Sequence, residues 1–354
     1  MSAASSAMGA LPSRWRQACA APAAVCAALV LACLLMLALD VTTGPAALGW
    51  RDLLMAAQDP GQLDEAQRVI LLEYRLPCAL MALLVGWALG QSGAEMQTAL
   101  NNPLASPFTL GLSAASSVGA TLVVLSGWHW TAWDENLALT AGAFGGALLA
   151  TALVVWLAWW RGAGVQAVVL FGIGLLFSFE ALLWMLQYLA DSQSLQQIVF
   201  WTMGSLGRST WPKLAVLGAV CLLAAAWSAR DCSALTLLRA GEEQARSLGV
   251  PVGGLRLGTL VRVSLVSATA LSFVGTIGFV GLVGPHIARL CVGEDHRHFL
   301  PASALAGALL VSGASVLSKS LLPGAILPIG VVTALLGVPL LMALLLRQGP
   351  SRHE

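Results

Sequence analysis

Few residues in this chain carry charge, and the spacing of a handful of them limits what chemistry is open to it. Glu242, Glu243 and Arg246 stand in G-E-E-Q-A-R-S-L-G-V, residues 241–250. Two acids followed by a base suit a short helix whose ends carry opposite partial charge, and Gly249 can end that helix in the left-handed conformation. Such a patch makes and breaks no bond. It offers a wet, charged surface to a partner. Two other carboxylates, Glu95 and Glu180, fall inside long apolar runs. An ionisable group at lipid depth is costly and needs a partner or a watery cavity. Gln187 follows Glu180 by two helical turns on a similar face. A protonated or hydrogen-bonded place inside a helix bundle is the alternative, preferred for Glu180 and more strongly for Glu95.

Other chemistries lack their residues. There is no G-x-x-x-x-G-K-[ST] loop, H-E-x-x-H pair or Ser-His-Asp arrangement. Gly172-Ile173-Gly174 lies in an apolar helix with no preceding strand, so it serves packing. His286, His296 and His298 sit at the edges of apolar runs and suit interfacial hydrogen bonds better than a metal. The 7 cysteines form no C-x-x-C pair, and Cys19, Cys26 and Cys33 recur at helical spacing as small hydrophobes do. The chain is therefore expected to bind no metal or cofactor and to catalyse nothing by itself. A formal net charge of +1 offers no basic field for nucleic acid.

The elements that hold these residues must sit in lipid. The 354 residues are 58% hydrophobic and 10% charged, with a mean hydropathy of +0.82, whereas soluble domains carry about 25% charged residues. Ten apolar runs approach spanning length: roughly 18–39, 76–100, 108–126, 137–160, 167–190, 212–229, 257–275, 278–292, 300–319 and 327–346. They do not alternate polar with apolar, so a barrel is excluded and helices are expected. The eighth is the shortest. Arg14 and Arg16 precede the first run, which is too long for a signal core and reads as a retained span. An even number of spans puts both termini on one side. Counted that way, Arg161, Arg230, Arg239, Arg246, Arg256, Arg289 and Arg297 share the side of the 241–253 loop, so that side is read as cytoplasmic. Arg51, Arg68, Arg75, Arg208, Lys213 and Lys319 lie opposite. Trp128, Trp130, Trp133, Trp201 and Trp211 would form an outer belt, and Trp156, Trp159 and Trp160 an inner one.

Glycine is abundant, at 36 residues. Gly142, Gly145 and Gly146, with Gly275, Gly278 and Gly281, are expected where helices approach closely. Helix breaks are expected at Pro77, Pro103, Pro107, Pro285, Pro323, Pro328 and Pro339. A weak echo links residues 92–103 with 274–285, five spans apart, an offset that inverts topology.

Seven segments carry a resemblance when taken in order: R-L-P-C (75–78), S-G-A-E-M-Q-T-A-L-N-N-P-L-A-S-P-F-T-L-G (92–111), W-T-M-G-S-L (201–206), E-E-Q-A-R-S-L-G-V (242–250), G-F-V-G-L-V-G-P-H-I-A-R-L (278–290), D-H-R (295–297) and L-P-I-G-V-V-T-A-L-L-G-V-P (327–339). Together they resemble the permease subunits of type II ABC importers for ferric siderophores, haem and cobalamin. The resemblance implies an all-α polytopic fold of about ten transmembrane helices in two inverted halves. It implies one permease domain over 1–354: a cytoplasmic N-terminus (1–17), the spans (18–346), a coupling loop (241–253) and a cytoplasmic tail (347–354). The implied setting is a homodimer in the inner membrane, with two ATP-binding subunits that hold ATP and Mg and a periplasmic or extracellular binding protein. It implies coupling to the ATPase through Glu242, Glu243, Ala245, Arg246, Leu248 and Gly249. Binding-protein docking is implied at Arg75 and Lys319, with Cys78 standing where a second arginine is common, a cytoplasmic gate at Val165 and Gln166, and a pathway along the fifth span, where Glu180 and Gln187 would contact the cargo or its solvent. The cargo expected is an iron complex, a ferric siderophore or haem. Cobalamin is the alternative, and a proton-coupled carrier using Glu95 or Glu180 a more distant one.

Overall fold

The computed structural model describes residues 3–45, 49–58, 64–127, 135–160, 164–322 and 324–347, and every regular element among them is a helix. In lipid each backbone donor and acceptor must find its partner within the segment, which selects this outcome for runs rich in Ala, Leu and Val. Each of the ten expected spans falls on one helix. They are α1 (Ala3–Thr42), α4 (Leu76–Ala99), α5 (Leu112–Ser126), α6 (Glu135–Trp160), α7 (Val165–Leu189), α9 (Trp211–Ala240), α11 (Val252–Val274), α12 (Val280–Val292), α13 (His296–Ser320) and α14 (Ile329–Arg347). Seven are long and apolar enough to cross a membrane, while α5, α12 and α14 are shorter apolar helices. The eighth expected run gives α12, 13 residues long, or about 20 Å at 1.5 Å per residue, too short to cross alone. The others are α2 (Trp50–Gln58), α3 (Glu65–Arg68), α8 (Ser192–Thr202) and α10 (Glu242–Ser247).

Burial separates the centre from the rim. The apolar window of α11 is 78% buried and that of α13 61%, against 17% for α1 and for α7. The largest core cluster joins α4, α9, α11, α13 and α14 around Met81, Leu217, Phe273 and Val311. Glycine lets the central backbones touch. A Cβ at Gly86 would lie 2.3 Å from the Gly307 carbonyl oxygen, and one at Gly93 1.9 Å from that of Gly281. Gly119 meets Gly142 in the same way, at 2.0 Å. Gly145, also expected at a contact, has nothing within 4 Å, because it lies on the face of α6 turned from α5. The echoing segments 92–103 and 274–285 pack on each other, and Gln97 Nε2 donates to Gly281 O at 3.3 Å.

Several expected breaks are absent. Pro285 and Pro339 lie inside α12 and α14. Pro77 sits in the first turn of α4, and the helix runs back through a π-helical turn, Val69–Arg75, to Glu65. A proline donates no hydrogen bond and crowds the preceding turn, and a wider π turn makes room for it. Arg75 therefore belongs to a continuous helix, not to a loop. Pro323 lies outside the described residues, as do Trp128, Trp130 and Trp133. Trp201 is 4% exposed and belongs to the interior, not to a belt.

Candidate coupling and docking site

At one end of the bundle α10 forms a separate, well-capped turn. Gly249 takes φ +84°, a conformation that costs L-residues free energy. Its N–H donates to Arg246 O at 3.0 Å, and the Val250 N–H donates to Ala245 O at 3.0 Å. These are the two bonds of a Schellman cap, and Val250 packs with Ala245 in the same apolar cluster, as that cap favours. Ala245 is fully buried among Leu235, Leu238, Val252 and Leu255, while Leu248 is 66% exposed. Glu243, Arg246 and Gly249 are exposed too. One apolar residue thus seats the helix, and its tip projects away.

Ion pairs fix the seat. Glu242 bonds Arg246 at 2.6 Å within α10 and Arg256 of α11 at 2.9 Å. The Arg256 hydrogen bond, more than any other influence, holds the Glu242 carboxyl below its ordinary value of 4.5. Arg256 Nε also donates to Ala99 O at the end of α4, at 2.9 Å. Next to this, Glu294 bridges Arg239 of α9 and Arg289 of α12, both at 2.9 Å. Arg239 donates to Asn101 Oδ1 and Arg289 to Gln97 Oε1, each at 3.1 Å. The last turn of α4 is therefore held by α9, α11 and α12.

Deeper along the same helices lies a group that charge counting passed over. Arg262 of α11 is 2% exposed. Its Nε donates to Glu95 Oε2 of α4 at 2.6 Å and its Nη1 to Asp231 Oδ2 of α9 at 2.8 Å. Glu95, 1% exposed, also accepts from Gln91 Nε2 at 2.9 Å and Ser228 Oγ at 2.5 Å. The guanidinium lies 5.1 Å from the Trp227 ring centroid. The bundle-residue expectation for Glu95 is met. The visible signal was a single arginine inside the seventh apolar run.

The other expected sites lie elsewhere. Arg75 is 3% exposed and donates to Val41 O and Thr42 O at 3.1 and 3.3 Å. Lys319 donates to Asp40 Oδ1 at 2.7 Å, and Ser315 bonds the same oxygen at 2.9 Å. Both bases thus tie the end of α1 to α4 and α13 instead of standing out as surface charges. Lys319 also borders a cavity of about 500 Å³ with Tyr74, Cys78, Trp201 and Arg208. Burial lowers Arg208 to about 10, so it stays charged at neutral pH, with its guanidinium 5.6 Å from the Trp201 centroid. Beside the cavity three helix ends and the short stretches that join them bond one another: Ser205 N to Val274 O at 2.7 Å, Ile329 N to Gly204 O at 3.2 Å, and the Thr276 hydroxyl to Thr202 O. This satisfies backbone groups that no helix pairs.

Val165 opens α7 partly buried and Gln166 is exposed; Gly162 and Ala163 before them lie outside the described residues. Glu180 and Gln187 are half-buried. They lie about 20° apart around α7, on one edge of a face where Leu170, Phe177, Trp184 and Tyr188 are 63–88% exposed.

The pattern of the FecCD transport family matches residues 27–347. The hemin transport system permease protein HmuU of Yersinia pestis is 34% identical over 324 residues, 92% of this chain and 97% of that one. The vitamin B12 import system permease protein BtuC of Klebsiella pneumoniae is 39% identical over 289 residues, covering 81% and 86%. A solved structure described as an inward-facing conformation of a putative metal-chelate type ABC transporter superposes with a TM-score of 0.80 at 30% identity, over 91% of this chain and 99% of that one.

Proposed function

Since the chain belongs to the FecCD transport family, we propose that it is the membrane-spanning permease of a type II ABC importer that carries an iron complex, a ferric siderophore or haem, into the cell. The ATP site, with its Mg, lies on partner subunits, and the chain itself supplies the pathway. The observation that carries the coupling assignment is α10: a capped turn seated by Ala245, pinned through Glu242 and Arg256 to the end of α4, with Leu248 projecting for a partner to grip. In this proposal Glu243, Arg246, Leu248 and Gly249 meet the ATP-binding subunit in the cytoplasm, while Ala245 seats the helix and Glu242 ties it down from behind. Both termini are on that side of the inner membrane. Val165 and Gln166 close the pathway nearby.

A homodimer is part of the proposal. The exposed aromatic and leucine face of α7 suits a second copy, and Glu180 and Gln187 would then border the seam where cargo passes. Docking of the binding protein belongs at the opposite end, where Lys319 and Arg208 line the 500 Å³ cavity and Arg75 holds the end of α1 next to Asp40, the partner of Lys319. The iron complex is favoured by the motifs at 102–111 and 201–206 and by alignment with the hemin permease along 92% of the chain. Cobalamin is the competing cargo, because the B12 permease is 39% identical.

Leu248→Asp and Gly249→Pro should insert normally but lose uptake and lose the co-purifying ATP-binding subunits. Proline cannot adopt φ +84° and has no N–H for the cap. Normal uptake by either variant rejects the coupling assignment. Proteoliposomes offered haemin, a ferric hydroxamate and cyanocobalamin through the cognate binding protein decide the cargo. Transport by the reconstituted chain with no ATPase present would favour a proton-coupled carrier instead.

A further inference from the structure

We infer that Arg262 is a positioning residue whose buried clasp joins the two helices on either side of α10 to each other and to α4, so that α10 and the bundle centre move as one body. The inference rests on the coupling assignment above and adds the means of transmission. The chain path makes the need plain. α9 ends at Ala240, α10 spans Glu242–Ser247, and α11 starts at Val252. A force on α10 therefore reaches the membrane through the ends of α9 and α11 alone, and two helices joined by a short turn can splay.

Arg262 lies ten residues into α11 and Asp231 nine residues back from the end of α9, both roughly 14–15 Å from α10. At that matched depth one guanidinium spans the gap, with Asp231 on Nη1 and Glu95 of α4 on Nε and Nη2. A planar five-donor fork can hold two carboxylates from two helices at once, which an ammonium point charge does less well. Ser228, three residues from Asp231 on α9, and Gln91, one turn from Glu95 on α4, fill the other Glu95 oxygen. The network leaves neither Glu95 oxygen unpaired, although both partners lie far from water. A buried charge network is poor as a source of net stability and good at fixing one arrangement over its alternatives. With the second tie, Glu242–Arg256–Ala99 O, it braces the α9–α10–α11 unit against α4 at two depths.

The test measures rigidity in the assembled transporter. Spin labels are placed at Ser247→Cys on α10 and Leu104→Cys just past α4, both exposed, with the 7 native cysteines replaced by alanine. In the complex with its ATP-binding subunits the label distance should be single, narrow and unchanged between nucleotide-free and ATP-trapped states. With Arg262→Met and Glu95→Gln together, which remove both charges of the central pair, the distribution should broaden and its mean should shift between states by about 1–2 Å or more, the scale of helix shifts. Arg262→Lys should fall between the two. It also serves as the test chain if the double variant fails to assemble. A distribution in the variants as narrow and as nucleotide-independent as in the parent overturns the clasp, and so does a nucleotide-dependent distance in the parent. If the parent fails to co-purify with ATP-binding subunits, the coupling assignment fails instead. The nucleotide-free widths of parent and variants still decide the clasp.

Discussion

Arg262 holds one positive charge between Glu95 and Asp231 at a place water scarcely reaches. Removing one member of such a set leaves an uncompensated buried charge, at a cost of about 3–5 kcal/mol. Arg262→Met is therefore expected to lower the thermal midpoint of the purified protein sharply, and adding Glu95→Gln should recover most of the loss. A single variant as stable as the parent would show that the carboxylates find other partners. The residue escaped sequence reading because charges were assigned to the loops at either side of the membrane, and an arginine inside a span belongs to neither. Glu95 was visible in the sequence as costly, but apart from Gln91 its partners, Ser228 and Arg262, lie at sequence separations of 133 and 167 residues. Gly249 was legible for the opposite reason: a helix cap is local, and the residues that define it lie within one turn.

Among the elements, α10 depends on Glu242. Its carboxyl is held below the ordinary 4.5, first by Arg256. A carboxylate with a lowered folded-state value contributes above its unfolded value and loses that contribution as pH falls through the folded one. The α10 tether should therefore be constant from neutral pH upward and loosen only below the usual carboxylate range. Glu242→Gln should loosen it at every pH, and faster amide exchange in 243–249 is the measurement. Close packing of α4 gives a second contrast. Gly93→Leu would drive atoms into the Gly281 carbonyl and should reduce the yield of folded protein severely, since overpacking commonly costs about 1–3 kcal/mol and backbone cannot yield as a side chain does. Gly145→Ala, with nothing within 4 Å, should be tolerated. The two glycines look alike in sequence, and only the packing partner separates them.

For the whole molecule, sidedness and pairing follow from the proposed arrangement and each has a labelling test. A thiol at Ser247→Cys should be labelled by a membrane-impermeant reagent in inverted vesicles and protected in intact cells. Tyr188→Cys, on the exposed face of α7, should form a crosslink between two copies in the membrane, whereas Phe273→Cys, 8% exposed in the core, should not. Labelling of Ser247→Cys from outside would reverse the orientation and remove α10 from the ATPase. Absence of any α7 crosslink would move the dimer seam to another face.

The sequence by itself determined the solvent, the number of apolar helices, their order and the wet α10 turn between the sixth and seventh apolar runs, because hydropathy and helix capping act over one to a few turns of chain. Tertiary structure alone decided which charges are buried and with whom. Arg75 and Lys319, implied as docking bases, tie down the end of α1, and Trp201 lies in the interior. Arg262 joins three helices, and the chain at 202–205 bonds both the end of α11 and the start of α14. A buried charge or an unpaired carbonyl accepts whatever partner the packing brings within hydrogen-bond reach, and no periodicity along the chain encodes a neighbour more than a hundred residues away.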